Sequence, residues 1–450
     1  MEIADLIAKY DRRVPRYTSY PTAPHFNADV TPATYGAWLR ALPADTSLSL
    51  YLHVPFCQSL CRFCACHTTV ARKTEPLLAY AETLVQEIDL VADTIGRNLA
   101  VRHIHWGGGT PTILPHEAFR RIMTRLGDRF AIARDAEIAV EIDPRTLTAP
   151  MVETLAAVGT NRASLGVQDF NPVVQEAIGR MQSFDLTASC VESLRRVGIG
   201  GINLDLIYGL PFQTVEGVAH TVSQAMSLDP DRAAVFGYAH VPWMKKHQSR
   251  MPEDALPGAV ERYRQREAVE HTITDLGYIA TGLDHFARPT DAMAQAAAAL
   301  CLRRNFQGYT TDTAPVLIGL GASSIGSLPD GYVQNHPQVP AWRDAIRANT
   351  LAAARGIALT PDDRLRRAVI ESIMCHFGVD LREVAARFDA DPATLMDAAP
   401  ALQDLARDGL AHWDGFTVTV TQAGRPFLRA VAAAFDTRLR SGEARHSAAV

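Results

Sequence analysis

The stretch HVPFCQSLCRFCACH (53–67) places Cys57, Cys61, Cys64 and Cys66 on one short segment, directly after the apolar run SLSLYLHV (47–54). The other three cysteines, Cys190, Cys301 and Cys375, are scattered. Disulfides, a zinc site and an iron–sulfur cluster all gather thiols. Disulfides are not expected, because the N-terminal MEIADLIAKYDRR has no apolar core of a secretory signal and points to the cytoplasm. A closed zinc site usually draws ligand pairs from separated segments, whereas these thiols are crowded on one loop. Cys57-x3-Cys61-x2-Cys64 instead lets one loop present three thiolates to three corners of a [4Fe-4S] cubane. The fourth iron is then open to the amino and carboxylate groups of a small molecule.

Outward from this loop, short Val-, Ile- and Leu-rich runs alternate with helical patterns, as in βα units around a parallel sheet. Strands are expected at 47–54, 101–106, 137–143, 162–168, 202–209, 233–240 and 279–286. Amphipathic helices are expected at 75–95, 116–130 and 186–198, the last ending on a glycine. Six or seven units fit a partial or complete βα barrel with parallel strands. After Pro361 the pattern becomes helical at 364–378, 381–388 and 401–409, followed by LAHWDGFTVTVT with a central Asp-Gly turn. That predicts a mainly helical, winged-helix-like C-terminal domain. The expected division is an N-terminal arm (1–46), the α/β barrel and its extension (47–360), a helical cap (361–437) and a flexible tail (438–450).

The 450 residues carry 44 Lys plus Arg against 49 Asp plus Glu, a formal charge of -5. Nucleic acid is therefore not an expected partner, the cap reads as a packing or lid domain, and no run is long enough to span a membrane.

A strand followed by Gly107-Gly108-Gly109-Thr110 exposes backbone that a ligand can approach closely. Glu141, Gln168 and Asp205 stand at the ends of consecutive expected strands, where ligands meet barrel-type sheets. Together they make a cup suited to an amino acid, a ribose and an adenine.

The cysteine spacing resembles that of radical S-adenosylmethionine (SAM) enzymes. Longer stretches are similar to one family of them, the oxygen-independent coproporphyrinogen III oxidases: KYDRRVPRYTSYPTAPHF (9–26), YLHVPFCQSLCRFCACH (51–67), HWGGGTPT (105–112), GVQDFNPVVQEAIGRMQ (166–182), DLIYGLPFQT (205–214), RNFQGYTTD (304–312) and IGLGASSIG (318–326). The resemblance implies Cys57, Cys61 and Cys64 as cluster ligands and Cys66 as a thiol beside the cluster. It implies SAM contacts at Tyr51, Phe63, Cys66, Gly108, Gly109, Thr110, Glu141, Gln168, Arg180, Asp205 and Ala239. Gln307 and Ile325 match positions near a second SAM, although the alanine run before Gln307 departs from the pattern.

The implied reaction turns two propionates of coproporphyrinogen III into vinyl groups, with an unidentified electron donor, flavodoxin- or ferredoxin-like, and an electron acceptor. A monomer is expected. An acidic protein must meet a tetracarboxylate through local cations, and Arg12, Arg13, Arg16, Tyr17 and Tyr20 of the arm are the expected substrate contacts. Two other functions share the cysteine loop: a haem chaperone, and a methyl-transferring or haem-degrading relative acting on tetrapyrroles.

Overall fold

A computed structural model describes residues 2–439. Its centre is one sheet of twelve strands: β1 (Ser47–Val54), β2 (Ala100–Gly108), β3 (Ala131–Ile142), β4 (Arg162–Gln168), β5 (Gly201–Tyr208), β6 (Arg232–Gly237), β7 (Ile279–Thr281), β8 (His285–Ala287), β9 (Val316–Leu320), β10 (Ile325–Leu328), β11 (Gly331–Asn335) and β12 (Ala353–Ala358). The spatial order is β12-β11-β10-β9-β1-β2-β3-β4-β5-β6-β8-β7. From β9 through β1 to β6 every neighbouring pair is parallel. The two end strands do not pair among the described residues, so the barrel is partial.

Period-two alternation explains why these runs form buried strands and where their polar residues point. On β1, Leu48, Leu50, Leu52 and Val54 are fully buried in the main core, with Val101, Ile104 and Trp106 of β2. Each such side chain contributes about 1.5–3 kcal/mol by leaving water. The intervening residues, Ser49 on β1, His103 and His105 on β2, Glu137 and Glu141 on β3, and Ser164 on β4, face a cavity inside the curved sheet. Helices Thr74–Ile95, His116–Arg129 and Phe184–Arg196 form where the apolar spacing predicts, and Gly198 follows the last with φ +90°.

The expected strand at 279–286 is instead the hairpin β7–β8, antiparallel throughout, turning at Gly282 with φ +66°. A Cβ at Gly282 would collide with the Tyr309 ring, so this turn position requires glycine. Six βα strands precede it, and β9–β12 complete the sheet.

Helices Pro361–His376, Leu381–Arg387 and Ala399–Arg407 pack on a small sheet of Gly378–Asp380, Thr417–Val420 and Ala411–Trp413. The Asp414-Gly415 turn joins two of its strands, with Gly415 at φ +105°. Thr360 and Asp363 cap the first helix reciprocally. One apolar cluster joins Val369, Ile373, Leu402 and Phe427 to Leu6, Ile7, Tyr10, Tyr17 and Tyr20, so the arm is packed into this region. Of the expected tail, residues 440–450 lie outside the described residues, while Arg438 donates to Asp363 at 2.9 Å.

Candidate active site

The cysteine loop leaves the C-terminal end of β1 beside the end of β2, where His53 pairs with Gly107 and Val54 with Gly108. It is tied at its base by Thr69 N to Pro55 O and Ala71 N to Cys57 O, both 2.9 Å. Thr68 and Thr110 hydroxyls donate to Cys57 Sγ at 3.2 and 3.4 Å. Arg145 reaches Cys61 Sγ at 3.4 Å and Arg180 reaches it at 3.7 Å. The two hydroxyls favour the Cys57 thiolate, but burial outweighs them and raises this thiol above its ordinary range. Cys64 and Cys66 hydrogen-bond each other, which holds the Cys64 thiol below and the Cys66 thiol above its ordinary range.

A second segment, downstream of β6, fastens the loop from outside. Gln248 Nε2 donates to the carbonyls of Phe63 at 2.8 Å and Ala239 at 3.3 Å. His247 Nε2 lies 2.7 Å from the Cys64 carbonyl, which requires the proton on that nitrogen, and Lys245 Nζ donates to the Cys66 carbonyl at 3.0 Å. Sequence reasoning missed this strap, because HVPWMKKHQSR (240–250) has neither strand nor helix periodicity.

Two cavities meet over the strand ends. One, of about 180 Å³, is walled by Cys57, Cys61, Phe63, Cys64, Cys66, Gly108, Gly109, Thr110, Glu141, Gln168, Arg180 and Asp205. The other, of about 340 Å³, lies inside the curved sheet and shares Cys66, Glu141, Ser164, Gln168 and Asp205 with the first. Twelve of the expected residues are thus brought to one place.

The electrostatics of that place are divided. Burial acts to raise Asp143, but Arg145 and Arg180 outweigh it and hold this carboxyl below its usual range. Burial likewise opposes ionisation of Glu141, and His105 at 3.2 Å with the Gly108 amide at 3.1 Å prevails, keeping it charged. Asp205 is pushed up to about 6, chiefly by burial, with Glu141 adding to the shift and hydrogen bonds from Ser164 and Asn203 opposing it. Asp143, Arg145, His105, Ser164 and Asn203 were not among the expected residues. Their signal was available for the strand members, which occupy inward positions of the period-two pattern.

The remaining expected residues fall elsewhere. Tyr51 lies beneath the glycines: its hydroxyl bonds His53 Nδ1 at 3.1 Å and stands 2.9 Å from where a Gly107 Cβ would be. Ala239 lines neither cavity, and its carbonyl is held by Gln248. Gln307 is on the wall of the larger cavity, with a buried Nε2 that has no hydrogen-bond partner among the described residues. Ile325 packs at the edge of the Phe26–Tyr332 cluster and lines neither cavity. Arg12 is exposed and donates to Lys9 O, Arg13 stacks 4.7 Å from the centre of Trp243, and Arg16 donates to Gly237 O at 2.9 Å. Tyr17 and Tyr20 do not face the cavities: their hydroxyls meet Asp436 at 3.0 Å and Thr437 at 3.1 Å, because both rings are buried against the C-terminal helices.

The residues present fit a cluster better than a single ion. Among the described residues, no three His, Cys, Asp or Glu side chains converge as they would on one metal. A cubane gives each thiolate its own iron and so needs the sulfurs spread. Arg180 Nε is buried without a partner at the cavity wall, a donor awaiting a ligand.

Comparison with known proteins agrees with this geometry. Residues 51–225 match the Radical SAM superfamily, and residues 359–427 match the HemN C-terminal domain. An oxygen-independent coproporphyrinogen III oxidase of Bradyrhizobium diazoefficiens is 53% identical over 99% of this chain and 100% of its own length. The chain belongs to that family. The enzyme of the same name from Paracoccus denitrificans is 43% identical over 95% of this chain and 94% of its own length. The solved structure of coproporphyrinogen III oxidase (HemN) from Escherichia coli, described as a radical SAM enzyme, superposes with a TM-score of 0.90 at 37% identity, covering 95% of this chain and 100% of that one.

Proposed function

We propose that this chain converts two propionate side chains of coproporphyrinogen III into vinyl groups without oxygen, yielding protoporphyrinogen IX and two CO2. The observation that carries this reading is the meeting of Cys57, Cys61 and Cys64 on a cavity that shares its wall with a larger one inside the sheet. Membership of the coproporphyrinogen oxidase family supplies the substrate. Bound together, a [4Fe-4S] cluster and SAM supply an organic radical able to take hydrogen from an unactivated carbon.

In this reading the chain's own residues hold and orient. Cys57, Cys61 and Cys64 ligate the cluster. Gly108 and Gly109 present main chain to an amino group, and Glu141, charged, faces the same cation. Arg180 offers its free Nε to a carboxylate, and Asp205 accepts from ribose hydroxyls. Phe63 and Gln168 are proposed to complete the wall around SAM, with Tyr51 beneath the glycines and Ala239 held through Gln248, and Gln307 to stand toward a second molecule of it, with Ile325 outside both cavities. Cys66, which lines both cavities, is proposed to act on the substrate side.

Each propionate loses one hydrogen atom and CO2, so two electrons leave per vinyl group. One would leave with the hydrogen atom taken by the SAM-derived radical, and the other would go to an acceptor. A flavodoxin- or ferredoxin-like protein is the proposed donor to the cluster, and the protein is proposed to be a cytoplasmic monomer. No helix among the described residues is long and apolar enough to cross a membrane.

Anaerobic incubation of reconstituted protein with SAM, a reductant and coproporphyrinogen III tests the reading by product mass. Loss of two CO2 is expected. Unchanged tetrapyrrole bound tightly, or tetrapyrrole with added methyl mass, would replace the oxidase with the chaperone or the transferase.

A further inference from the structure

Four arginines from separate parts of the chain meet at one place. Arg16 of the arm donates to the Gly237 carbonyl at 2.9 Å, and Arg262, on helix Ala259–Asp275, donates to the next carbonyl, Tyr238, at 3.1 Å. Arg304 donates through Nε and Nη2 to the Arg16 carbonyl at 3.3 and 3.2 Å. Arg429, only 5% exposed, donates to the carbonyls of Pro15, at 3.0 Å, and Val14. Gly237 ends β6, so the guanidiniums gather at the same end of the sheet as the cysteine loop.

Carbonyl oxygens satisfy donors without neutralising charge. The carboxylate facing both Arg16 and Arg304 is Asp284, which is already hydrogen-bonded to His285 Nδ1 at 2.7 Å. Arg304 Nη1 and Arg262 Nε are buried and have no hydrogen-bond partner among the described residues. Crowding shows in Arg429, held down to about 9 by burial and by repulsion from Arg16 and Arg304. Bare backbone makes room for the group: a Cβ at Gly237 would stand 3.0 Å from Tyr208 Oη and 3.3 Å from Arg262 Nη2. Two buried guanidinium nitrogens without partners, on Arg262 and Arg304, call for an anion.

The cluster lies just beyond the larger cavity. None of its four members lines that cavity, but Phe236, His285 and Asn305 do, and these adjoin Gly237, Asp284 and Arg304 in the chain. We infer that Arg16, Arg262 and Arg304 form an anchor for the carboxylates of a polycarboxylate substrate that are not reacting. This rests on the tetrapyrrole reading above: a macrocycle whose one propionate is under attack in the cavity must direct others outward. Guanidinium forks match carboxylates in a way that lysines do not.

Two experiments on anaerobically reconstituted protein test the anchor. R262Q and R304Q should each raise KM for coproporphyrinogen III about tenfold, the loss expected for one charge-assisted contact, with kcat held within about twofold. R304K, which keeps the charge and loses the fork, should fall between, and cluster absorbance per chain reports that the variants are folded. The second needs no variant: binding of coproporphyrin III to the wild-type protein, read by fluorescence quenching, is compared with that of its tetramethyl ester. The acid should bind and the ester should not. Unchanged KM in the variants, or equal binding of acid and ester, would overturn the anchor. Wild-type protein that binds the acid but decarboxylates nothing would sink the functional reading and leave the anchor standing.

Discussion

Arg180 grips Asp143 with both terminal nitrogens, Nη2 to Oδ1 at 3.2 Å and Nη1 to Oδ2 at 3.5 Å, directly beside the Cys61 sulfur. Arg145 joins the same carboxylate at 2.7 Å. Both terminal nitrogens of this guanidinium are therefore already engaged, and Asp143 sets its orientation. Asp143→Ala leaves two mostly buried cations without their partner. It is expected to cost about 3 kcal/mol of unfolding free energy, the lower end for breaking a buried pair. Denaturant titration checks this, and a loss under about 1 kcal/mol would mean that solvent already screens the group.

The four cysteines should separate into two classes. Serine at Cys57, Cys61 or Cys64 is expected to prevent retention of iron after reconstitution, measured as iron per chain. Cys66→Ser should keep its iron and lose turnover, at least about tenfold, or about 1.4 kcal/mol of transition-state stabilisation. Iron content that collapses in Cys66→Ser would contradict this assignment.

The strap should matter as much as the loop it holds. Gln248→Leu leaves the Phe63 and Ala239 carbonyls without the donor they share and is expected to destabilise by about 1–3 kcal/mol. Faster loss of cluster absorbance under a chelator than in wild type is the measurement.

Asp205, at about 6, predicts a pH dependence of SAM affinity. The carboxylate accepts from ribose hydroxyls and attracts the cationic cosubstrate; its protonated form does neither as well. KM for SAM should rise as pH falls through about 6, and Asp205→Asn should flatten that limb of the profile.

Glu87 predicts a pH dependence of stability away from the site. Its carboxyl, buried and bonded to the Asn335 side chain and Gly321 amide at 2.6 Å, is raised to about 7, chiefly by burial. The folded state then binds the proton more tightly than the unfolded one, so stability falls as pH rises from about 4.5 to about 7, by roughly 3 kcal/mol. Glu87→Gln should remove that slope, measured by chemical unfolding at several pH values.

Much of the barrel was legible because SLSLYLHV, EIAVEID and RASLGVQ each alternate a buried apolar face with an inward polar one, and burial on one face fixes the register. The same alternation points Glu141 and Ser164 into the cavity. β9–β12 were not legible as strands: they are short and interrupted by Gly319, Gly326, Gly331 and Gly356, and at all of these but Gly326 neighbouring atoms leave no room for a Cβ. The packing of the arm was not legible for a different reason: Leu6, Ile7 and Tyr10 form the buried face of helix Ile3–Tyr10, whose partners, the C-terminal helices, are distant in sequence. The strap at Lys245–Gln248 carries no periodic signal, since its work is done by hydrogen bonds to carbonyls distant in sequence.

The central claim is that a radical generated at the Cys57–Cys61–Cys64 cavity takes hydrogen from a propionate held in the adjoining one. Coproporphyrinogen III deuterated at the β-carbons of its propionates, incubated anaerobically with reconstituted protein, SAM and reductant, tests it most directly. The account predicts 5'-deoxyadenosine that carries deuterium, formed together with vinyl product. Vinyl product accompanied by 5'-deoxyadenosine free of deuterium would contradict it.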